Sequence, residues 1–137
     1  MSSDEDISPA RAAALVTEGA QLVDVRTPAE VEAGRIAGAL HIELEQLPTQ
    51  AGELERERPL VFYCRSGQRS AMASGAFRAA GYEAYNLDGG LLAWVAGFVV
   101  PALWLATAVF VPCALAAVLR LIGVEFSILE EILTLQF

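Results

Sequence analysis

A four-residue apolar run, Leu60-Val61-Phe62-Tyr63, stops abruptly at Cys64-Arg65-Ser66-Gly67-Gln68-Arg69-Ser70, and a helix-like run over residues 71–80 follows. A short, continuous apolar run of this kind reads as a strand buried on both faces, as in the middle of a parallel sheet. Where such a strand passes through a tight loop into a helix, backbone N–H groups surround one side chain, and the helix dipole reinforces them. With a cysteine in that place the favoured species is the thiolate, which is the nucleophilic form. Arg65 and Arg69 add positive charge and are suited to holding an anionic substrate. A lone Cys after a strand is ordinarily a small buried hydrophobe. Two Arg, two Ser and a Gly within the next six positions point instead to reactive sulfur.

The flanking sequence predicts the scaffold. Ser8-Pro9 is a helix start, with Ser as N-cap and Pro in the first turn, and Gly19 marks that helix's end. Residues 21–25 read as a strand, and Thr27-Pro28-Ala29-Glu30 as a capping box opening a second helix. A connecting stretch containing Pro48 and Gly52 leads to the strand at residues 60–63. Gly81 closes the helix after Cys64, residues 84–87 form the next strand, and Asp88-Gly89-Gly90 turns the chain into another helix. Alternating strands and helices imply an α/β fold with a mainly parallel sheet flanked by helices. In such folds the site lies beyond the carboxyl ends of the strands, so Cys64, Asp24 and Arg26 are expected on one side.

The net charge of −8 over 137 residues argues against nucleic acid or an anionic surface as partner. The two cysteines, Cys64 and Cys113, sit in unlike settings and give no disulfide framework. The N-terminus, Met1-Ser2-Ser3-Asp4-Glu5-Asp6, is not a signal peptide. No Cys/His cluster, phosphate-binding glycine fingerprint or paired carboxylates point to a metal or organic cofactor.

Cys64-Arg65-Ser66-Gly67-Gln68-Arg69-Ser70 resembles the active-site loop of rhodanese-like sulfurtransferases. The similarity extends to Leu22-Val23-Asp24-Val25-Arg26-Thr27-Pro28-Ala29-Glu30, to Gly34-Arg35-Ile36-Ala37-Gly38-Ala39-Leu40-His41-Ile42, and to Tyr85-Asn86-Leu87-Asp88-Gly89-Gly90-Leu91-Leu92-Ala93-Trp94. It covers residues 6–97, with Arg35 standing where the family often has His and His41 where it often has Asn. The resemblance implies a rhodanese-like domain in residues 1–97 and sulfurtransferase activity. Sulfane sulfur would pass from thiosulfate or a related donor to a thiol or cyanide acceptor through a Cys64 persulfide. The N–H groups of residues 65–70 would stabilise thiolate and persulfide, with Ser66, Gln68 and Ser70 lining the cradle and Gly67 supplying a positive φ. Arg69 is the first choice for gripping the donor's sulfonate, and Arg65 the second. Asp24, Arg26 and Glu30 are read as an ion-pair network supporting the loop, and His41 as a structural histidine at a packing turn.

Phosphatases and arsenate reductases of the same architecture resemble the chain too, but their loop holds five residues between Cys and Arg, and this one holds four. The shorter loop favours sulfur over a phosphoryl group. A sulfur-carrier module that serves a relay partner is the alternative of another class.

Residues 95–119 contain no charge. As a helix they would run roughly 37 Å, enough for a hydrocarbon core of about 30 Å. Trp94 and Trp104 suit an interface or a packed site equally, and Pro101 and Pro112 would kink such a helix. Beyond Arg120, Glu125, Glu130 and Glu131 give residues 121–137 an amphipathic character. Three readings of the tail, residues 98–137, compete: a membrane anchor with the large domain cytoplasmic, a packing or oligomerising element of a soluble cytoplasmic protein, and a shifted reading frame. The family's usual Gly-Leu-Pro-Val-like closing strand is replaced here by Gly97-Phe98-Val99-Val100-Pro101.

Overall fold

Leu60, Val61, Phe62 and Tyr63 are all fully buried, and the two faces they cover divide the molecule into layers. Successive side chains of a strand point to opposite faces. Leu60, Phe62 and Cys64 therefore join one apolar cluster with Val23, Val25, Ala73 and Phe77, while Val61 and Tyr63 join another with Ile7, Ala12, Leu15 and Leu87. A strand packed on both sides needs no polar face, which is why its sequence lacks alternation.

The computed structural model describes residues 4–108. Its elements are β1 (Asp6–Ile7), α1 (Pro9–Thr17), β2 (Gln21–Asp24), α2 (Pro28–Glu32), β3 (Leu40–His41), α3 (Leu47–Gln50), β4 (Leu60–Tyr63), α4 (Gln68–Ala79), β5 (Ala84–Leu87) and α5 (Gly90–Trp94). Short 3-10 turns, Leu44–Gln46 and Ala51–Glu53, flank α3, and a π-helical turn, Val95–Val99, continues α5. The five strands form one parallel sheet in the order β1-β5-β4-β2-β3. Helices flank this sheet, as the alternation of strands and helices implied.

The chain leaves β2 toward β3 on one side of the sheet and then returns to lay β4 on β2's other side. Such a reversal opens a crevice at the strand ends. The β2–β4 register sets Asp24 opposite Tyr63, the residue before Cys64.

Local signals explain most element ends. The Ser8 hydroxyl accepts the Arg11 N–H at 3.2 Å, as an N-cap does. The Glu30 carboxylate accepts from the Thr27 N–H at 3.1 Å and from its hydroxyl at 3.0 Å, which fixes the start of α2.

Two features differ from the sequence reading. First, β1 and β3 were not expected, because two residues carry no periodicity; pairing with β5 and β2 creates them. Second, α4 begins at Gln68 and not at residue 71, because Gly67 at φ 97° turns the chain directly into the helix. Helix continues through residues 95–99, in agreement with the reading that this sequence lacks the family's closing strand. Trp94 and Phe98 stack there with ring centroids 4.9 Å apart.

The structure divides into two units, Met1–Val99 and Val100–Phe137. One helix, Gly90–Ala108, is long and apolar enough to cross a membrane, with a mean hydropathy of 2.0. Cys113, Arg120, the rest of the anticipated span and the amphipathic segment lie outside the described residues.

Candidate active site

Cys64 follows the last residue of β4, and its side chain is only 1% exposed. Its Sγ accepts the Gly67 N–H at 3.1 Å and the Ser70 hydroxyl at 3.4 Å. Burial alone pushes the thiol pKa up. The Ser70 hydroxyl and the N–H groups of Ser70, Gly67 and Ser66 outweigh that effect, and the net shift is downward. Donors aimed at the sulfur favour the charged form. Ser70 thus contributes its side chain as well as its backbone, which residue order alone did not reveal.

Gly67 makes the cradle sterically feasible. Its φ of 97° is rarely adopted by other residues, and an added Cβ would lie 3.2 Å from the Gly89 nitrogen and 3.3 Å from the Leu87 oxygen. The loop's carbonyls are held from the other side. Leu91 N–H donates to the Cys64 oxygen at 2.8 Å, and Leu92 N–H to the Arg65 oxygen at 3.2 Å. Gly90 permits this approach, since a Cβ there would meet the Cys64 oxygen at 2.5 Å. Gly89 and Gly90 were read only as a turn.

The two arginines of the loop behave differently. Arg69 is gripped by Glu30 through Nη1 to Oε2 at 2.9 Å and Nη2 to Oε1 at 2.8 Å. The pair raises the Arg69 pKa, chiefly through those hydrogen bonds, with the nearby Cys64 sulfur adding to the effect. It also brings Glu30 down to about 2, again chiefly through Arg69. Arg65 is exposed and pairs with no acid among the described residues. Ser66 and Gln68 are exposed beside it.

Asp24 and Arg26 form a buried ion pair behind the loop. Arg26 Nε reaches Asp24 Oδ1 at 2.9 Å and Nη2 reaches Oδ2 at 2.7 Å. Arg26 also donates to the carbonyls of Glu30 and Gly34, at 3.2 and 2.8 Å. The Asp24 hydrogen bond leads the effects that raise the Arg26 pKa. Tyr63, which the sequence reading passed over as part of an apolar run, completes the group. Its hydroxyl donates to Asp24 Oδ2 at 2.7 Å and accepts the Ile36 N–H at 3.2 Å. Burial and the Asp24 carboxylate push the Tyr63 pKa to about 12. A hydroxyl at the end of a buried strand needs a partner, and that requirement was the available signal.

The carboxylate of Glu30 is not part of this network. Only its backbone carbonyl meets Arg26, while its side chain serves Arg69 and Thr27. His41 donates from Nε2 to the Arg26 carbonyl at 2.7 Å and so braces β3 against the same group. Among the described residues, no three His, Cys, Asp or Glu side chains gather to hold a metal ion. A cavity of about 600 Å³, lined by Leu44, Leu47, Met72, Phe77 and Tyr82 among others, includes none of residues 64–70.

Comparison with known proteins agrees with this geometry. The rhodanese-like domain profile matches residues 8–97. A sulfurtransferase of Allochromatium vinosum is 43% identical over 79 residues, covering 57% of this chain and 74% of that protein. The thiosulfate sulfurtransferase GlpE of Ectopseudomonas mendocina is 34% identical over 99 residues, covering 72% of this chain and 91% of that one. Among solved structures, the human single-domain sulfurtransferase TSTD1 superposes with a TM-score of 0.60 at 32% identity, over 66% of this chain and 95% of that one. With its sheet order, its cysteine cradle and a match spanning most of its length, the chain belongs to the rhodanese-like domain family.

Proposed function

We propose that this protein is a sulfurtransferase that works through a persulfide on Cys64. The observation that carries this reading is the Cys64 sulfur itself, held between the Gly67 N–H and the Ser70 hydroxyl at the start of α4. The thiolate attacks the outer sulfur of thiosulfate, the S–S bond breaks, and sulfite leaves with the electron pair. Cyanide or a thiolate then attacks the outer sulfur of the persulfide, and Cys64 leaves as thiolate, stabilised by the same donors. No separate base is needed when the sulfur begins ionised. Arg65, unpaired at the rim among the described residues, takes the donor's sulfonate. Arg69, tied to Glu30, supplies fixed positive charge beside the sulfur, and this ordering reverses the one expected from sequence. Asp24, Arg26 and Tyr63 hold the end of β2 against the end of β4 and keep the loop in place.

Mass spectrometry after incubation with thiosulfate tests the mechanism. An added mass of about 32 Da on the Cys64 peptide is the expected covalent intermediate. Its absence, with sulfur transfer still occurring, would exclude this route.

Residues 1–97 are assigned to the catalytic domain and residues 98–137 to a membrane-anchoring tail, with the domain on the cytoplasmic side. The apolar helix Gly90–Ala108 supports that assignment. The full-length protein should then resist extraction from membranes by high salt or alkaline carbonate. Ala108→Asp should weaken retention, because a carboxylate at the bilayer centre costs about 2.5–3.5 kcal/mol on insertion scales.

A further inference from the structure

The cavity of about 600 Å³ beside α4 lies apart from the cysteine loop and has the makings of a ligand site of its own. α4 presents Ala73, Ala76 and Ala80 to it at steps of about one turn, so that face of the helix contributes little bulk. Leu44 and Leu47, from the segment between β3 and β4, line it as well. Phe77 and Tyr82 give it an aromatic wall, their rings set edge to face with centroids 5.0 Å apart. Met72 also lines it and is 69% exposed, an unusual place for so large an apolar side chain. The volume falls within the range of about 300–1,000 Å³ typical of small-molecule sites, and a mainly apolar lining with few polar groups is their usual composition.

Arg56 is the one charged side chain in that lining. Its guanidinium is fixed from two sides. Nη2 donates to the Ala80 carbonyl at 2.8 Å, and Cζ stands 4.8 Å from the centroid of the Tyr82 ring. Arg56 pairs with no acid among the described residues, where Nε and Nη1 are left without an acceptor. Of the acids beside it in sequence, Glu55 is bonded to Arg58, and neither Glu53 nor Glu57 lines the cavity. A guanidinium held in place with a free edge matches a carboxylate in shape and charge. We infer that this cavity binds a small aromatic carboxylic acid, with its ring against Phe77 and Tyr82 and its carboxylate on Arg56. The site is independent of the sulfur chemistry proposed above, because none of residues 64–70 lines it.

The test is an NMR titration of the full chain with isotopically labelled methionine methyl groups. Apart from the initiating Met1, Met72 is the one methionine, so its signal reports on the cavity wall directly. The protein is held in phosphatidylcholine nanodiscs, whose headgroups carry no net charge, or in buffer if it does not insert. The probes are hydrocinnamate and its neutral amide, hydrocinnamide, each added up to about 10 mM at neutral pH, since a ligand of this size should bind with a Kd on the order of 1 mM. Both should move the Met72 signal saturably, and the acid should bind about tenfold more tightly, through its charge-assisted contact with Arg56. Arg56→Gln should erase that preference while amide binding persists. Ala76→Leu, at an exposed helix position that tolerates a larger side chain, should fill the cavity and abolish both titrations. A Met72 signal that does not respond saturably to either probe overturns the inference. So does equal affinity for acid and amide in the wild type, a comparison that depends on no variant. A preference that survives Arg56→Gln, or binding that survives Ala76→Leu, overturns it as well.

Discussion

Glu30 and Arg69, 39 positions apart, meet through two parallel hydrogen bonds of 2.9 and 2.8 Å, so the first turn of α2 holds the first turn of α4 beside the Cys64 sulfur. A bidentate contact fixes orientation as well as distance. It leaves Arg69 as fixed charge and Arg65 as the exposed arginine of the loop.

The Glu30 pair gives a pH signature. The Glu30 pKa is lowered from 4.5 to about 2, so the pair's stabilisation is complete above the unfolded value and is lost as pH falls through about 2. Partly exposed, it should contribute no more than about 1 kcal/mol at neutral pH. The difference in Tm between wild type and Glu30→Gln should be constant above about pH 5 and shrink toward zero near pH 2. A difference that grows on acidification would contradict the assignment.

Cys64→Ser should eliminate persulfide formation with little change in Tm, since Ser is close in size to Cys but is not ionised at neutral pH. Ser70→Ala removes the hydroxyl donor to the sulfur, leaving burial less opposed. Its alkylation rate profile should move to higher pH. The rate near neutrality should fall about tenfold or more, since a hydrogen bond to a charged group is worth about 1.5–3 kcal/mol. An unshifted profile would show that backbone N–H groups alone govern the thiol.

Arg65→Ala should raise the KM for thiosulfate by about tenfold, the equivalent of one lost charge-assisted contact at about 1.4 kcal/mol. Arg69→Ala should lower kcat and shift the alkylation profile of Cys64 upward, since it removes charge beside the sulfur. If Arg69→Ala changed only KM and Arg65→Ala changed nothing, the two roles would be reversed.

Tyr63→Phe leaves Asp24 Oδ2 without one donor and the Ile36 N–H without its acceptor, both in the interior. Unsatisfied buried groups cost about 1–3 kcal/mol each, so chemical denaturation should show a loss in that range or above it. Specific activity of the folded fraction should be nearly unchanged, because Tyr63 does not touch the sulfur. A stability equal to wild type would show that water replaces the hydroxyl.

Gly90→Ala forces a methyl group against the Cys64 and Arg65 carbonyls. Steady-state kinetics should show a large fall in kcat, because the loop can make room only by moving the residue that carries the sulfur. Gly52→Ala, where nothing lies within 4 Å of the added carbon, is the control and should keep wild-type kinetics.

The strand before Cys64 was legible because two-sided burial leaves an unbroken apolar run, and α1 because Ser8, Pro9 and Gly19 each have one strong local meaning. The start of α4 was misplaced because Ser66-Gly67-Gln68 has loop composition, and only the φ of Gly67 shows that the helix begins at once. Two-residue strands were invisible, since β1 and β3 exist only through the pairings at Asp6 and Leu40. Tyr63 was hidden by a run in which its ring counts as apolar and its hydroxyl does not.

Local chemistry along the chain was enough to establish the strand–loop–helix around Cys64, the parallel α/β class and the uncharged stretch after Asp88. Each depends on neighbours within a few residues, where capping, φ preference and apolar pattern act. Which carboxylate meets which arginine was decided only by the tertiary structure. Glu30, Asp24, Arg26 and Arg69 are equally plausible partners by charge. The β2–β4 register sets Asp24 beside Tyr63, and the packing of α2 and α4 gives Glu30 to Arg69. Hydrogen bonds fall off within a fraction of an ångström, so a pairing across 39 residues is settled by where the sheet puts the backbone, and charge alone cannot choose it.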